Sequence, residues 1–147
     1  MPKCSDVMTA GPVCCEPGDA VTKAADMMRE YDVGSLPVVE SRSTERLVGI
    51  VTDRDLVTKV VADNRPVDKA TVRDAMTPDP ATCREDEDVE RAVSLMAERQ
   101  VRRMPVVDGA GRLRGIIAQA DIATRINRDQ QTGELVEAIS EPPAARR

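Results

Sequence analysis

Two segments of the chain place apolar residues at the spacing of one helix face. After Asp19 and again after Asp88, apolar side chains recur at positions i, i+3, i+4 and i+7. This pattern is typical of a helix that buries one stripe, and an aspartate before it is a common N-terminal cap. We therefore predict a helix over residues 20–31 and another after Asp88. The predicted buried stripes are Val21, Ala24, Ala25 and Met28, and Val89, Ala92, Val93 and Met96.

Each predicted helix is followed by two short apolar runs that a polar turn separates. Runs of this length, bounded by turn residues, are typical of β-strands. A second helix is predicted to begin near Asp53 in the first half and near Gln119 in the second. A short strand precedes each first helix, so both halves have the order β-α-β-β-α. The predicted strands are residues 13–15, 36–39, 47–51, 81–83, 104–107 and 113–117.

The two halves are copies of one unit. The Pro-Val-Val sequence at Pro37 returns at Pro105 (105 − 37 = 68), and the Met-Thr pair at Met8 returns at Met76 at the same interval. A repeated unit that cannot bury its apolar face alone packs against its copy. We therefore predict an α/β (α+β) fold of two pseudo-twofold-related motifs packed through their small sheets. The predicted ranges are domain 1 at 1–62, linker at 63–74, domain 2 at 75–128, and a C-terminal helix and tail at 129–147, with the helix near 133–139.

Composition limits the kinds of partner that the chain can have. Tyr31 is the only aromatic residue, so the chain lacks the aromatic platform on which single-stranded nucleic acids stack. The net charge of −5 argues against broad binding to nucleic acid or anionic membranes. No apolar run approaches the ~20 residues of a membrane span, and no signal-peptide apolar region follows Met1. We therefore expect a cytoplasmic protein.

The chain has few residues that could bind a metal or act as a nucleophile through sulfur or imidazole. The chain has four cysteines and no histidine, and no C-x-x-C pair occurs. A zinc site therefore has little support, and we expect reduced thiols, with Cys14 and Cys15 on opposite faces of a strand. The missing histidine also removes the usual general base, so we do not expect an enzyme.

One motif places a hydroxyl and a carboxylate where a strand becomes a helix. Thr52 and Asp55 stand three residues apart at this turn, after Gly49. One interpretation is a capping box, in which the two side chains satisfy the first amides of the helix. The other is a ligand site, in which Thr52 donates to a phosphate or ribose oxygen and Asp55 accepts from a ribose diol. The second copy has Ala118 in place of the hydroxyl and keeps Asp121, which a capping role alone does not explain.

With these motifs in register, the two copies resemble cystathionine-β-synthase (CBS) domains, and together they resemble a Bateman module. The resemblance is carried by the x-Pro-Val-Val strand, the Gly-h-h-Thr-x-x-Asp turn and the Val-Met-Thr start, and it covers roughly residues 5–125. It implies an adenosine site in the inter-repeat cleft, with phosphates held by Arg102 and Arg103. The implied main-site residues are Ile50, Thr52, Asp55, Ala81, Thr82, Val101, Arg102, Arg103 and Pro105.

The resemblance also implies a second, mirror-related site. It is expected to be weaker because Ala118 has no hydroxyl and Gly34 and Ser35 carry no positive charge. Its residues are Val13, Cys14, Val33, Gly34, Ser35, Pro37, Ala118 and Asp121. The alternative for Arg102 and Arg103 is a solvated edge, or a salt bridge to Asp53, Glu98 or Asp108.

The function that these features favour is that of a regulatory module that senses AMP, ADP or ATP without catalysis and without a required cofactor. NAD and S-adenosylmethionine are the next candidate ligands. The resemblance further implies a homodimer formed through the helices. The alternative function is a dimeric stress-response interaction protein whose nucleotide clefts are vestigial.

Overall fold

The computed structural model describes residues 2–128 and the side chains of residues 2–124. In chain order the described elements are α1 (Cys4–Val7), β1 (Thr9–Ala10), α2 (Val21–Glu30), β2 (Ser35–Val39), β3 (Leu47–Thr52), α3 (Asp53–Leu56), a π-helical turn (Val57–Val61), α4 (Val72–Ala75), β4 (Thr77–Pro78), β5 (Cys83–Arg84), α5 (Val89–Arg99), β6 (Arg103–Val107), β7 (Leu113–Ala118) and α6 (Gln119–Arg128). This mixture of helices and small sheets is the predicted α+β class.

The chain forms two compact units that do not follow the order of the repeats. The contiguous unit is Val13–Pro80, and the composite unit combines residues 2–12 with the described chain from Ala81 onward. The predicted domains 1–62 and 75–128 follow the sequence repeats, and their boundaries differ from those of these two units. The difference arises because the segment before each repeat packs with the other repeat. We call residues 2–12 the first leader segment and residues 70–80 the second leader segment.

Strand pairing shows the exchange of leader segments. In the contiguous unit, β4 of the second leader pairs antiparallel with β3, with Thr77 opposite Ile50, in a sheet of order β2-β3-β4. In the composite unit, β1 of the first leader pairs antiparallel with β7, with Thr9 opposite Ile116, in a sheet of order β1-β7-β6-β5. Each leader strand therefore completes the sheet of the other repeat.

The leader segments also satisfy the first amide of the long helices. The N–H of Val21 donates to the carbonyl of Ala70 at 3.1 Å, and the N–H of Val89 donates to the carbonyl of Pro2 at 2.9 Å. These amides have no partner within their own helices. The predicted cap at Asp19 is wrong, because the N-cap residue is Ala20 and the Asp19 carboxylate accepts the N–H of Glu16 at 2.9 Å.

An ion pair joins the leader of the composite unit to the residue before α5. Lys3 Nζ lies 2.7 Å from Oδ1 of Asp88, the residue before α5. The hydrogen bond from Lys3 holds the pKa of Asp88 below its ordinary value, and Asp88 raises the pKa of Lys3. Both side chains are about half exposed, so the pair adds little to a contact that the backbone hydrogen bonds already define.

The remaining expectations differ from the structure in detail. The predicted strand at 13–15 is a single parallel bridge between Cys15 and Val38, and the one at 81–83 is displaced to Cys83–Arg84. Ala25 is exposed at the edge of the α2 stripe, whereas the stripe of α5 is buried throughout. The leader elements α1, β1, α4 and β4 were not predicted. The predicted helix near 133–139 lies outside the described residues.

Each unit has its own core of aliphatic side chains and methionines. The core of the contiguous unit includes Cys15, Val21, Ala24, Met28, Leu36, Val38, Val51, Val60, Ala70, Val72 and Ala75. The core of the composite unit includes Cys4, Val7, Cys83, Val89, Ala92, Val93, Met96, Met104, Val106, Ile117 and Ile122. Both sets contain leader residues, so the exchanged segments are parts of the cores and not surface additions.

The thiols follow the same division between core and surface. Cys14 is half-buried and Cys15 is buried. Burial raises the pKa of Cys15 to about 12. Cys4 and Cys83 are both buried in the composite core, where a hydrogen bond between the thiols and then burial raise the pKa of Cys83. The three buried thiols therefore act as small apolar side chains.

Gly115→Ala should destabilise the protein more than Gly49→Ala. A Cβ on Gly115 would lie 2.6 Å from Met8 Sδ and 2.8 Å from the carbonyl oxygen of Thr9, whereas on Gly49 it would lie 3.0 Å from both Met76 Sδ and the carbonyl oxygen of Thr77. Methionine can rotate away, but the paired carbonyl cannot. Overpacking typically costs ~1–3 kcal/mol, so urea unfolding should show a loss in that range for Gly115→Ala and a smaller one for Gly49→Ala.

The control for this comparison is Gly18→Ala, where no atom lies within 4 Å of the new Cβ. We expect its unfolding midpoint to stay near that of the wild-type protein or to rise slightly. An unchanged stability of Gly115→Ala would contradict the close packing of the first leader segment on β7.

Candidate functional site

Thr52 and Asp55 form a complete capping box at the junction of β3 and α3. The N–H of Asp55 donates to Oγ1 of Thr52 at 3.0 Å, and the N–H of Thr52 donates to Oδ2 of Asp55 at 3.0 Å. The capping interpretation is therefore correct for these contacts. It leaves chemistry unused, because the Thr52 hydroxyl still has its proton to donate and each Asp55 carboxylate oxygen has a lone pair that can accept a further hydrogen bond.

A second Thr-x-x-Asp sequence provides an internal comparison. At the start of α4, the N–H of Thr71 donates to Oδ2 of Asp74 at 2.9 Å, which lowers the pKa of Asp74. The side chain of Asp74 is 36% exposed and that of Asp55 is 14% exposed. The same sequence thus caps two short helices, and the one at β3 places its carboxylate in the more enclosed position.

A lysine that the sequence analysis did not single out completes the surroundings of Asp55. Lys59 Nζ lies 3.2 Å from Oδ1 of Asp55 and donates to the carbonyl of Ala75 at 3.2 Å. The available signal was the i, i+4 spacing of the aspartate and the lysine, which places the two side chains on one helix face. Both carboxylate oxygens of Asp55 therefore have a partner within the contiguous unit.

The structure brings Thr52 and Asp55 together with residues that the sequence analysis assigned to the other site. Ser35 is paired with Thr52 across β2 and β3, and the N–H of Asp53 donates to the carbonyl of Gly34 at 2.9 Å. A Cβ on Gly34 would lie 3.2 Å from Oδ2 of Asp53. One end of the sheet in the contiguous unit thus carries halves of both predicted sites.

The corresponding end of the sheet in the composite unit carries the arginines. Arg103 is paired with Ala118 across β6 and β7, and the N–H of Gln119 donates to the carbonyl of Arg102 at 2.9 Å. Asp121 is half-buried two residues beyond Gln119, on the first turn of α6. This strand end therefore holds the basic pair without a hydroxyl beside the aspartate.

Arg102 and Arg103 are exposed, and neither forms an ion pair within the described part of the chain. Asp108, one of the partners considered for them, is instead paired with Arg112 at 3.0 Å. Hydrogen bonds from the backbone N–H of Arg112 and of Ala110 hold the pKa of Asp108 below its ordinary value. Two neighbouring guanidinium groups are thus available to an anion.

The predicted main site is divided between the units. Ile50, Thr52 and Asp55 lie in the contiguous unit, whereas the other six belong to the composite unit: Ala81, Thr82, Val101, Arg102, Arg103 and Pro105. The predicted weaker site is divided in the same way, with Ala118 and Asp121 in the composite unit and Val13, Cys14, Val33, Gly34, Ser35 and Pro37 in the contiguous one. Whether each set acts as one site stays a prediction.

Gly49 has a structural role that the sequence analysis left open. The group that approaches its backbone is the second leader segment, since Met76 Sδ and the carbonyl oxygen of Thr77 lie 3.0 Å from where a Cβ would be. Gly115 has the same relation to Met8 and Thr9. The glycine of the Gly-h-h-Thr-x-x-Asp turn therefore lets the leader strand pack closely on the sheet.

The described chain contains neither a cluster of metal ligands nor a helix that could cross a membrane. Among residues 2–128, no three or more His, Cys, Asp or Glu side chains lie close enough together to hold a metal ion. No helix within the same range has the length and apolar character needed to span a membrane.

Comparison with protein families identifies both repeats. The model of the CBS domain family matches residues 4–62 and 72–128. Among curated proteins, Hypoxic response protein 1 of Mycobacterium tuberculosis is 34% identical over 139 residues, which are 95% of this chain and 94% of that protein. A crystal structure of Hypoxic Response Protein I with two coordinated zinc ions has a TM-score of 0.75 and 35% identity, and the match covers 83% of this chain and 97% of that one.

Two further solved structures carry bound ligands. CBSX2 of Arabidopsis thaliana in complex with AMP has a TM-score of 0.75 and 29% identity, over 89% of this chain and 100% of that one. The CBS domain pair of MJ0100 in complex with 5-methylthioadenosine and S-adenosyl-L-methionine has a TM-score of 0.74 and 27% identity, over 89% and 99%. With two matched repeats and relatives that it covers along nearly their whole length, the chain belongs to the CBS domain family as a CBS pair.

Proposed function

We propose that this chain is a regulatory module that binds an adenine nucleotide, AMP, ADP or ATP, and catalyses no reaction. The observation that carries the proposal is the enclosed Asp55 carboxylate beside the Thr52 hydroxyl, because this pair matches the needs of a ribose. Related proteins support it, since CBSX2 was solved with AMP and MJ0100 with S-adenosyl-L-methionine.

In this proposal the two strand ends supply different parts of the ligand contact. The carboxylate of Asp55 accepts hydrogen bonds from the ribose diol, and Thr52 donates its hydroxyl proton to a ribose or phosphate oxygen. Arg102 and Arg103 bind the phosphates, for which a planar guanidinium provides bidentate hydrogen bonds. Ile50, Val101 and Pro105 contribute aliphatic surface for the adenine ring.

Regulation follows from the division of these residues between two units. A ligand that contacts residues of both repeats stabilises whichever conformation brings those residues together. A partner protein that binds one conformation more tightly then responds to the nucleotide concentration. Binding of the nucleotide and binding of the partner are reciprocally coupled. We include a cytoplasmic location in the proposal, since that is where a nucleotide sensor meets its ligand.

Asp55→Asn should weaken AMP binding by ten- to a hundredfold in calorimetric titration of protein stripped of bound ligand. Losing hydrogen bonds to a charged group costs roughly 1.5–3 kcal/mol, which is one to two decades in the dissociation constant. Asparagine keeps an oxygen that accepts the Thr52 amide, so the helix cap is preserved. Thr52→Val removes the hydroxyl at nearly constant volume and should weaken AMP binding as well.

The matched control is Asp74→Asn, because Asp74 occupies the same position in the second Thr-x-x-Asp capping box. It should leave AMP affinity within about twofold. Wild-type protein that shows neither heat nor a melting shift with millimolar AMP, ATP, NAD or S-adenosylmethionine contradicts the proposal. That result favours the alternative, a dimeric stress-response interaction protein with vestigial nucleotide sites.

Arg102→Ala and Arg103→Ala should weaken ATP binding more than adenosine binding, because only ATP carries phosphates for the guanidinium groups. Arg99→Ala removes a neighbouring exposed arginine to which no role is assigned, and it serves as the control.

We also expect about one tightly bound nucleotide per chain in equilibrium dialysis, because the second set of site residues lacks the hydroxyl and the cations. Two equally tight sites per chain would contradict this asymmetry.

We further propose a homodimer formed through the helices. Val57 and Val61 are 58% and 60% exposed on successive turns of the π-helical segment, and Tyr31 at the end of α2 is 50% exposed. Exposed apolar side chains on helical segments are the kind of surface that a second copy of the chain can cover. Val57→Glu combined with Val61→Glu should convert a dimer into a monomer in sedimentation velocity, whereas Val67→Glu, at a 45% exposed linker position, should not. A wild-type monomer would contradict the proposal.

A further inference from the structure

Lys59 connects the proposed ribose carboxylate to the second leader segment. Its ammonium group lies 3.2 Å from Oδ1 of Asp55 and donates to the carbonyl of Ala75 at 3.2 Å. The Lys59 side chain is 42% exposed and that of Asp55 is 14% exposed, so the pair is partly shielded from solvent. One side chain therefore bridges a proposed ligand contact and the backbone of a different element.

The local helix geometry places Lys59 at this junction. Residues Val57–Val61 form a π-helical turn in which the N–H of Ala62 donates to the carbonyl of Val57 at 2.8 Å. Such turns are rare and occur frequently at functional sites. Ala75 is the last residue of α4, and the last carbonyls of a helix have no partner within it. The lysine thus satisfies an acceptor that the short helix leaves open.

The second leader segment supports the contiguous unit and connects it along the chain to the next one. Its strand β4 pairs with β3, its Met76 and Thr77 pack on Gly49, and the carbonyl of Ala70 accepts the first amide of α2. The chain then continues to Ala81, where the composite unit resumes. A change in the stability of this segment therefore changes the support of β3 and α2, and it also affects the connection to the second repeat.

We propose that Lys59 is a positioning residue that couples occupancy of Asp55 to the second leader segment. This inference rests on the nucleotide site proposed above and assigns its regulation. Ribose hydroxyls donating to Asp55 hold the carboxylate in one orientation and leave its charge intact, so Lys59 is held against Oδ1. Its bond to the Ala75 carbonyl is then formed for a larger fraction of the time, and the leader opens less often.

Hydrogen–deuterium exchange of the full chain, with and without AMP, tests this coupling. In the wild-type protein AMP should slow the exchange of the amides of residues 74–77 and of Asp79 severalfold. In Lys59→Met those amides should exchange faster without ligand, and the additional slowing by AMP should disappear. Lys59→Arg keeps a cation and should restore part of the ligand effect, which a loss of packing alone would not predict.

Lys69→Met is the matched control. It removes the same charge next to the leader, and the Lys69 side chain has no hydrogen bond or ion pair among the described residues. It should keep the ligand effect unchanged. AMP affinity should fall less than about fivefold in Lys59→Met, since a partly exposed ion pair contributes little to affinity.

The outcomes separate this inference from the function on which it rests. AMP binding to Lys59→Met with undiminished slowing at the amides of residues 74–77 and Asp79 overturns the coupling and leaves the nucleotide site intact. Equal exchange of these amides in ligand-free wild-type and Lys59→Met protein also overturns it, because the lysine then does not restrain the leader. Failure of the wild-type protein to bind any of the four nucleotide ligands overturns both proposals.

Discussion

The fold depends on hydrogen bonds between the first amide of each long helix and a backbone carbonyl in the segment that precedes the other repeat. The first amides of α2 and α5 donate to Ala70 and Pro2, which belong to leader segments that precede the opposite repeat. Without these acceptors, buried helix amides would lose their partners at a cost of roughly 1–3 kcal/mol each. The strand pairs β1–β7 and β3–β4 follow from the same exchange. Gly49 and Gly115 favour it, because a Cβ at either position would press against the backbone and the methionine of the leader strand.

The candidate site rests on this arrangement. Thr52 is the last residue of β3, the strand that is paired with β2 on one side and with the second leader segment on the other. The capping box then fixes the direction in which α3 leaves the sheet, and with it the carboxylate of Asp55. Lys59 reaches from the following turn back to the leader. The residues proposed to bind a ribose are thus held by the same segment that completes the sheet.

Periodicity in the sequence predicted the long helices and the central strands, because burial of one face decides them. The leader elements have only two to four residues, too few for a periodic signal, and their partners lie in the other repeat. Asp19 looked like a cap because sequence cannot show that the first amide of α2 already has a distant acceptor. Thr52 and Asp55 were predictable from their spacing. The hydrogen bond from Lys59 to the Ala75 carbonyl could not be predicted in the same way, because the two residues are 16 positions apart in the sequence.

The composite unit imposes an order on biosynthesis. A ribosome completes Val13–Pro80 as one uninterrupted stretch, so every residue of the contiguous unit is available once Pro80 has been made. Residues 2–12 emerge before all of it, yet the sheet that they complete is made of residues 83–118. Cys4 and Val7, which the finished protein buries, stay without their core while most of the chain is translated. Residues 2–12 are therefore synthesised before the contiguous unit but reach their native positions only after residues 83–118 have been made.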